Sequence, residues 1–145
     1  MEKYQYLICP FFTLFLCQLI KFTYESIRDK KLNFARFVNG TGGMPSSHTS
    51  FSSSLTVLIG HNLGFDSPIF AVALVFTFIT AYDAMGLRFE SGKQAEAINQ
   101  INEELGKTKK KGFKFLKEQL GHKPLEVFVG LLLGTTMGLV FHVYF

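Results

Sequence analysis

The sequence predicts an all-α fold, an integral membrane helical bundle with about four transmembrane helices and two short interfacial ones. Three observations carry that expectation. Hydrophobic residues make up 48% of the 145-residue chain against 18% charged, which excludes a disordered polymer. The apolar residues are gathered into long runs without the polar stripe at helical spacing that a soluble bundle would need. The basic residues, 15 in all, cluster between particular runs. A chain of this length is expected to form one domain, residues 1–145, and is too short for a multidomain enzyme.

Residues 4–22 form the first run, free of charge from 7 to 20. Lys3 in front of it resembles a signal-peptide n-region, but no small-x-small cleavage pattern follows, so the segment is expected to be retained. Cys9 and Cys17 lie inside this run with no C-x-x-C partner and read as buried thiols, not as a disulfide or zinc framework. The second run, residues 46–65, contains Ser52, Ser53 and Ser54 and is the least hydrophobic. The third, residues 68–87, carries one charge, Asp83, and the fourth, residues 125–145, carries one, Glu126. At a rise of about 1.5 Å per residue, each of these last two reaches about the 30 Å of a bilayer core.

Between the third and fourth runs, residues 93–105 and 113–120 are expected as short helices separated by a turn at 106–112. In the second, Phe113, Leu116 and Leu120 share a face suited to the membrane interface. Gly130, Gly134 and Gly138 recur every four residues in the fourth run and invite close helix packing, within the chain or in a homodimer.

Residues 21–36 hold five Lys/Arg and residues 88–123 hold nine, while the connector 61–67 holds none. Fourteen of the 15 basic residues therefore lie on one side, which the positive-inside rule makes cytoplasmic. The expectation is a multi-pass cell-membrane protein with both termini outward. The net charge of +4 and the run Lys109, Lys110, Lys111 suit anionic lipid headgroups, each charge contributing about 1 kcal/mol near such a surface. No nucleic-acid motif accompanies them, so membrane lipid is the expected partner and nucleic acid is not.

Two segments carry chemistry. In Gly42-Gly43-Met44-Pro45-Ser46-Ser47-His48 a glycine turn leads through proline and serine into a helix. Ser46 or Ser47 would cap it, its first-turn N–H groups would make an anion site, and His48 would stand beside that site. An ordinary capped turn with an incidental histidine fits the same residues. In Gly121-His122-Lys123-Pro124-Leu125-Glu126, Pro124 suits a first helical turn and Glu126 falls four residues after His122. The carboxylate can reach His122 Nδ1, fix the tautomer and leave Nε2 as a nucleophile, or it can merely complement the positive helix end. Asp83 is expected to pair with a nearby basic residue, and His61 and His142 lie toward the opposite side with no chemistry assigned.

Together with Tyr82-Asp83-Ala84-Met85-Gly86-Leu87-Arg88, these two segments resemble the small divergent membrane branch of the type-2 phosphatidic acid phosphatases, relatives of bacterial acid phosphatases and vanadium-dependent haloperoxidases. The resemblance covers nearly the whole chain. It implies that His122 attacks phosphorus to form a phosphohistidine and that His48 protonates the leaving alkoxide. Lys21, Arg88 and Lys117, with the Ser46–Ser47 turn, would hold phosphate oxygens, and neither metal nor cofactor would be required. The implied substrate is a lipid phosphate or diphosphate. The chain departs from the superfamily at four places. Asp29 replaces the proline that follows the Lys21 and Arg28 spacing, Ser47 stands for a glycine, Leu116 for an arginine, and Glu126 for an aspartate. A non-catalytic protein that binds phospholipid headgroups at a degenerate site is the alternative, and the missing arginine motivates it.

Overall fold

The structure is a computed structural model and describes residues 4–30, 43–106, 115–118 and 120–145. All regular structure among these is helical: α1 (Gln5–Asp29), α2 (Ser47–Leu63), α3 (Pro68–Met85), α4 (Leu87–Gly106) and α5 (Pro124–Tyr144). Proline opens both α3 and α5, where its missing N–H costs no helical bond, and Ser67 Oγ caps α3 by accepting from Phe70 N.

Among the described residues, three helical stretches are long and apolar enough to cross a membrane: α1, α3 running on toward α4, and α5. The second expected span is different. At 17 residues, α2 is shorter than these, rich in serine, and packed against α1, α3 and α5. Its Ser50, Ser52, Ser53, Ser54 and Thr56 are all buried, whereas Phe11 and Phe15 of α1, Phe76 and Phe78 of α3 and Phe128 of α5 are each more than half exposed. Polarity is thus reversed relative to a water-soluble bundle. Lipid tails are as apolar as leucine, so burial there is decided by close packing and by hydrogen bonds, not by hydrophobicity.

The hydroxyls of α2 satisfy themselves locally. Ser50 Oγ donates to Ser46 O at 2.7 Å, Ser53 Oγ to Thr49 O at 2.7 Å, and Thr56 Oγ1 to Ser52 O at 3.0 Å. Thr56 also lies 2.9 Å from Thr77 Oγ1, which ties α2 to α3. With its hydroxyls folded onto its own backbone, α2 presents a smooth surface on which α5 lays its glycines. A Cβ on Gly130 would lie 2.8 Å from Ser46 O, one on Gly138 2.7 Å from Ser54 O, and one on Gly134 would collide with Ser53 Oγ and Ser50 O. The glycine face is therefore filled by α2 of the same chain. Of the two kinds of packing expected for these glycines, this contact is the one within the chain.

Helix directions follow from the contacts. Cys9 of α1 meets Leu58 of α2 and Phe141 of α5 at one end, while Lys21 and Cys17 meet Ser47 at the other. So α1 runs antiparallel to α2 and α5, and the start of α1 lies with the end of α5. At the other end Ser46 N donates to Glu126 O and His122 N to Ala84 O, both at 3.0 Å. These two bonds join the starts of α2 and α5 and the end of α3 at one level.

The interfacial segments differ from expectation. The first expected helix lies inside α4, which starts at Leu87 because only Gly86 interrupts it after α3. The second is not helical over its described residues, 115–118 and 120. Asn99 of α4 replaces the helical partners: its Nδ2 donates to Leu116 O and to Glu118 Oε1, each at 2.8 Å, and its Oδ1 accepts from Leu116 N at 2.9 Å. Phe113, Gly42 and the Lys109–Lys111 run lie outside the described residues.

Because α2 backbone and the Ser53 hydroxyl fill the space beside Gly134, Gly134→Leu is expected to destabilise the fold by about 1–3 kcal/mol or more through overpacking. Thermal unfolding in detergent reads this directly. An unchanged melting temperature would contradict the packing described.

Candidate functional site

The site is built where α1 ends and α2 and α5 begin. Glu126, in the first turn of α5, turns its carboxylate back over the helix start: Oε2 lies 2.9 Å from His122 Nδ1 and accepts from Lys123 N at 3.2 Å. The four-residue spacing and Pro124 at the helix entry produce this geometry. A carboxylate accepts only, so Nδ1 carries the proton and Nε2 keeps a lone pair. His122 is 4% exposed, with its backbone N–H bound to the end of α3. Burial pushes its pKa below the ordinary imidazole value, Glu126 opposes that shift, and the charges of Lys21 and Arg88 reinforce it. The result is a neutral imidazole at neutral pH.

Lys21 comes from α1 and is 5% exposed; its Nζ donates to Ser47 Oγ at 2.8 Å. Ser47, at the position where the superfamily has glycine, thus supplies a partner for a buried ammonium. Ser46 occupies the N-cap position of α2, but its hydroxyl is engaged with Thr49 Oγ1 at 2.9 Å and makes no capping bond. His48 is exposed on the first turn of α2, within electrostatic reach of Arg88, His122, Lys21 and Asp83. Arg88 Nε donates to Asp83 Oδ2, the basic partner expected for that carboxylate. Lys21, His48, Arg88, His122 and Glu126 therefore share one end of the bundle. Lys117 lies exposed on the irregular segment that Asn99 holds.

Sequence reasoning missed two participants. Cys17 Sγ donates to Pro45 O at 3.4 Å and lies 3.6 Å from Ser47 Oγ, so a thiol packs against the same serine that holds Lys21. Its position four residues before Lys21, on the same helical face, was the available signal. The Ala84 carbonyl, which fixes the His122 backbone, left none. His61 and His142 stack at the opposite end, ring centroids 4.9 Å apart, with His142 Nδ1 2.6 Å from Asn62 Oδ1.

Beside Glu126 lies a cavity of about 480 Å³ between the end of α1, α4 and the connector into α5. Its lining mixes Arg28, Lys93 and Lys123 with Glu25, Glu96, Glu118 and Glu126. Gly121 closes one wall by packing on the Phe89 backbone, where a Cβ would collide.

Residues 3–137 match the Divergent PAP2 family. The chain belongs to that family. It is 39% identical over 139 residues to the uncharacterized membrane protein YuiD of Bacillus subtilis (strain 168), covering 88% of this chain and 87% of that protein. No solved structure matches. Membership in a divergent PAP2 family agrees with the resemblance drawn from the three segments and with a membrane location.

Since Glu126 raises the His122 pKa against burial, Glu126→Gln is expected to lower it further, because the hydrogen bond to a carboxylate and its charge are both lost. An NMR titration of the His122 ring checks this. A pKa that rises or stays put would contradict the assigned role of the pair.

Proposed function

We propose that this membrane protein is a phosphohydrolase acting on a lipid phosphate or diphosphate, with His122 as the phosphoryl acceptor. The observation that carries the proposal is the His122–Glu126 pair, which holds a neutral imidazole with its nucleophilic nitrogen unprotonated, in a cluster with Lys21, Arg88 and His48. In the first step the Nε2 lone pair attacks phosphorus and the bond to the leaving oxygen breaks. That oxygen takes a proton from His48. In the second step water attacks phosphorus, the P–N bond breaks, and His48 recovers the proton as inorganic phosphate leaves. Lys21 and Arg88 neutralise charge on the non-bridging oxygens, and the first turn of α2 contributes its N–H groups. The charge asymmetry of the loops supports a cytoplasmic location for this end, on which reading a cysteine placed at Lys93 should react with an impermeant thiol reagent only after the membrane is opened.

One observation favours a second reading, headgroup binding without turnover. The superfamily's arginine is absent at position 116, where leucine has its backbone engaged by Asn99, and lysine at 117 lacks the bidentate fork that matches phosphate.

Phosphate release by the purified protein from phosphatidate, phosphatidylglycerol phosphate and a polyprenyl diphosphate, with and without vanadate, separates the readings. The phosphohydrolase reading expects vanadate-sensitive release that His122→Ala abolishes and Glu126→Gln only reduces. His48→Ala should cost about 10²-fold or more on poor leaving groups and much less on good ones. The acid limb of kcat/KM should fall below the ordinary imidazole pKa of about 6.5, because the nucleophile stays unprotonated to lower pH. Wild-type turnover in His122→Ala would overturn the mechanism. Binding of lipid phosphate with no release from any substrate would establish the second reading instead.

A further inference from the structure

The chain has four histidines. His48 and His122 stand at the candidate site, and the other two meet at the far end of the bundle, 80 residues apart in the chain. Leu58 of α2 and Phe141 of α5 pack in one cluster with Cys9. Three residues beyond Leu58, and next to Phe141, His61 and His142 bring their rings together with centroids 4.9 Å apart at 32°. Both side chains are exposed, so the pair is open to a ligand from outside the bundle.

The surroundings of the pair favour a cation. Asn62 Oδ1 lies 2.6 Å from His142 Nδ1. A carbonyl oxygen only accepts, so Nδ1 carries the proton and Nε2 keeps its lone pair. Metal-ligating histidines are held in this way, with the second ring N–H given to an oxygen that fixes tautomer and orientation. A neutral imidazole at His61 also offers one unprotonated nitrogen. Two imidazoles that share a tetrahedral ion, each nitrogen about 2.0–2.1 Å from it, have centroids about 5 Å apart. The observed separation matches that requirement. Phe65 packs edge-on against His61, centroids 5.0 Å apart, and Phe70 packs on Phe65, so apolar rings restrain the histidine. Residues 4–12, 56–75 and 134–145, which make this end, contain no Lys or Arg to repel an ion, and they contain the carboxylate Asp66.

We propose that His61 and His142 form a binding site for a divalent transition-metal ion of the zinc or copper(II) kind, with Asn62 setting the His142 tautomer and water completing the coordination. Imidazole nitrogen suits these metals, whereas magnesium and calcium prefer oxygen. The ion would tie the end of α2 to the end of α5, at the opposite end of the bundle from His122. The site does not depend on the phosphohydrolase reading.

The test uses the full chain, purified in detergent and stripped of metal, titrated with Zn²⁺ by calorimetry and with Cu²⁺ by electron paramagnetic resonance. One zinc ion per chain should bind at this end. His61→Ala and His142→Ala should each weaken it at least tenfold, and Asn62→Leu about 10–100-fold, the usual cost of losing the group that orients a ligand. His48→Ala should leave the affinity at the wild-type value. The copper spectrum should show coupling to two nitrogens in the wild type and in His48→Ala, and to fewer in His142→Ala. Because His61 and His142 are exposed, their removal spares the core. Wild-type zinc affinity in both His61→Ala and His142→Ala overturns the proposal, as does a loss of binding in His48→Ala that equals theirs. A wild-type copper spectrum without nitrogen coupling overturns it with no variant required.

Discussion

The contact on which the site depends is the approach of the α5 glycines to the serine-bearing face of α2. Gly130 admits Ser46, Gly134 admits Ser50 and Ser53, and Gly138 admits Ser54 and Val57. No larger residue fits, and the closeness brings Ser46 N within hydrogen-bonding distance of Glu126 O. That bond sets the start of α2 beside the start of α5. Ser47 and His48 on one helix and His122 and Glu126 at the entry to the other then occupy one end, with Lys21 reaching in from α1. In a lipid solvent apolar burial contributes little to holding helices together, so a small-residue contact of this kind supplies the packing energy that a hydrophobic core supplies in water.

The same contact creates the electrostatic problem that the site resolves. A buried ammonium at Lys21 and a buried imidazole at His122 are both costly to charge, and each is given a hydrogen-bonding partner, Ser47 and Glu126. The two groups differ in outcome: Lys21 lends positive character to the cluster, and His122 is held neutral. On the proposed reading this division is what a phosphoryl acceptor next to a phosphate cradle requires, since a protonated imidazole has no lone pair to offer.

Much of this was legible in the sequence. Helices α1, α3 and α5 follow from their apolar length, the His122–Glu126 pair from its four-residue spacing, and the glycine face from its period. The Asp83–Arg88 pair was anticipated from a lone carboxylate near a basic loop. What was not legible depends on contacts far along the chain. Hydropathy reports exposure to lipid, and α2 touches three helices, so its serines made it a poor span and a good centre. The apolar spacing of residues 113–120 reads as a helix, but Asn99 binds the Leu116 backbone from 17 residues away and holds residues 115–118 irregular. Ser46 occupies its N-cap position without capping because Thr49 is the nearer partner for its hydroxyl in the packed interior.

The central claim is that His122 accepts the phosphoryl group. The most direct measurement is to mix the protein with a ³²P-labelled lipid phosphate, quench in alkali, where phosphohistidine survives and acyl phosphates do not, and map the labelled peptide by mass spectrometry. The account expects label on His122, its loss in His122→Ala, and its accumulation when water attack is slowed in His48→Ala with a good leaving group. Label on another residue, or rapid turnover with no labelled histidine at any quench time, would contradict it.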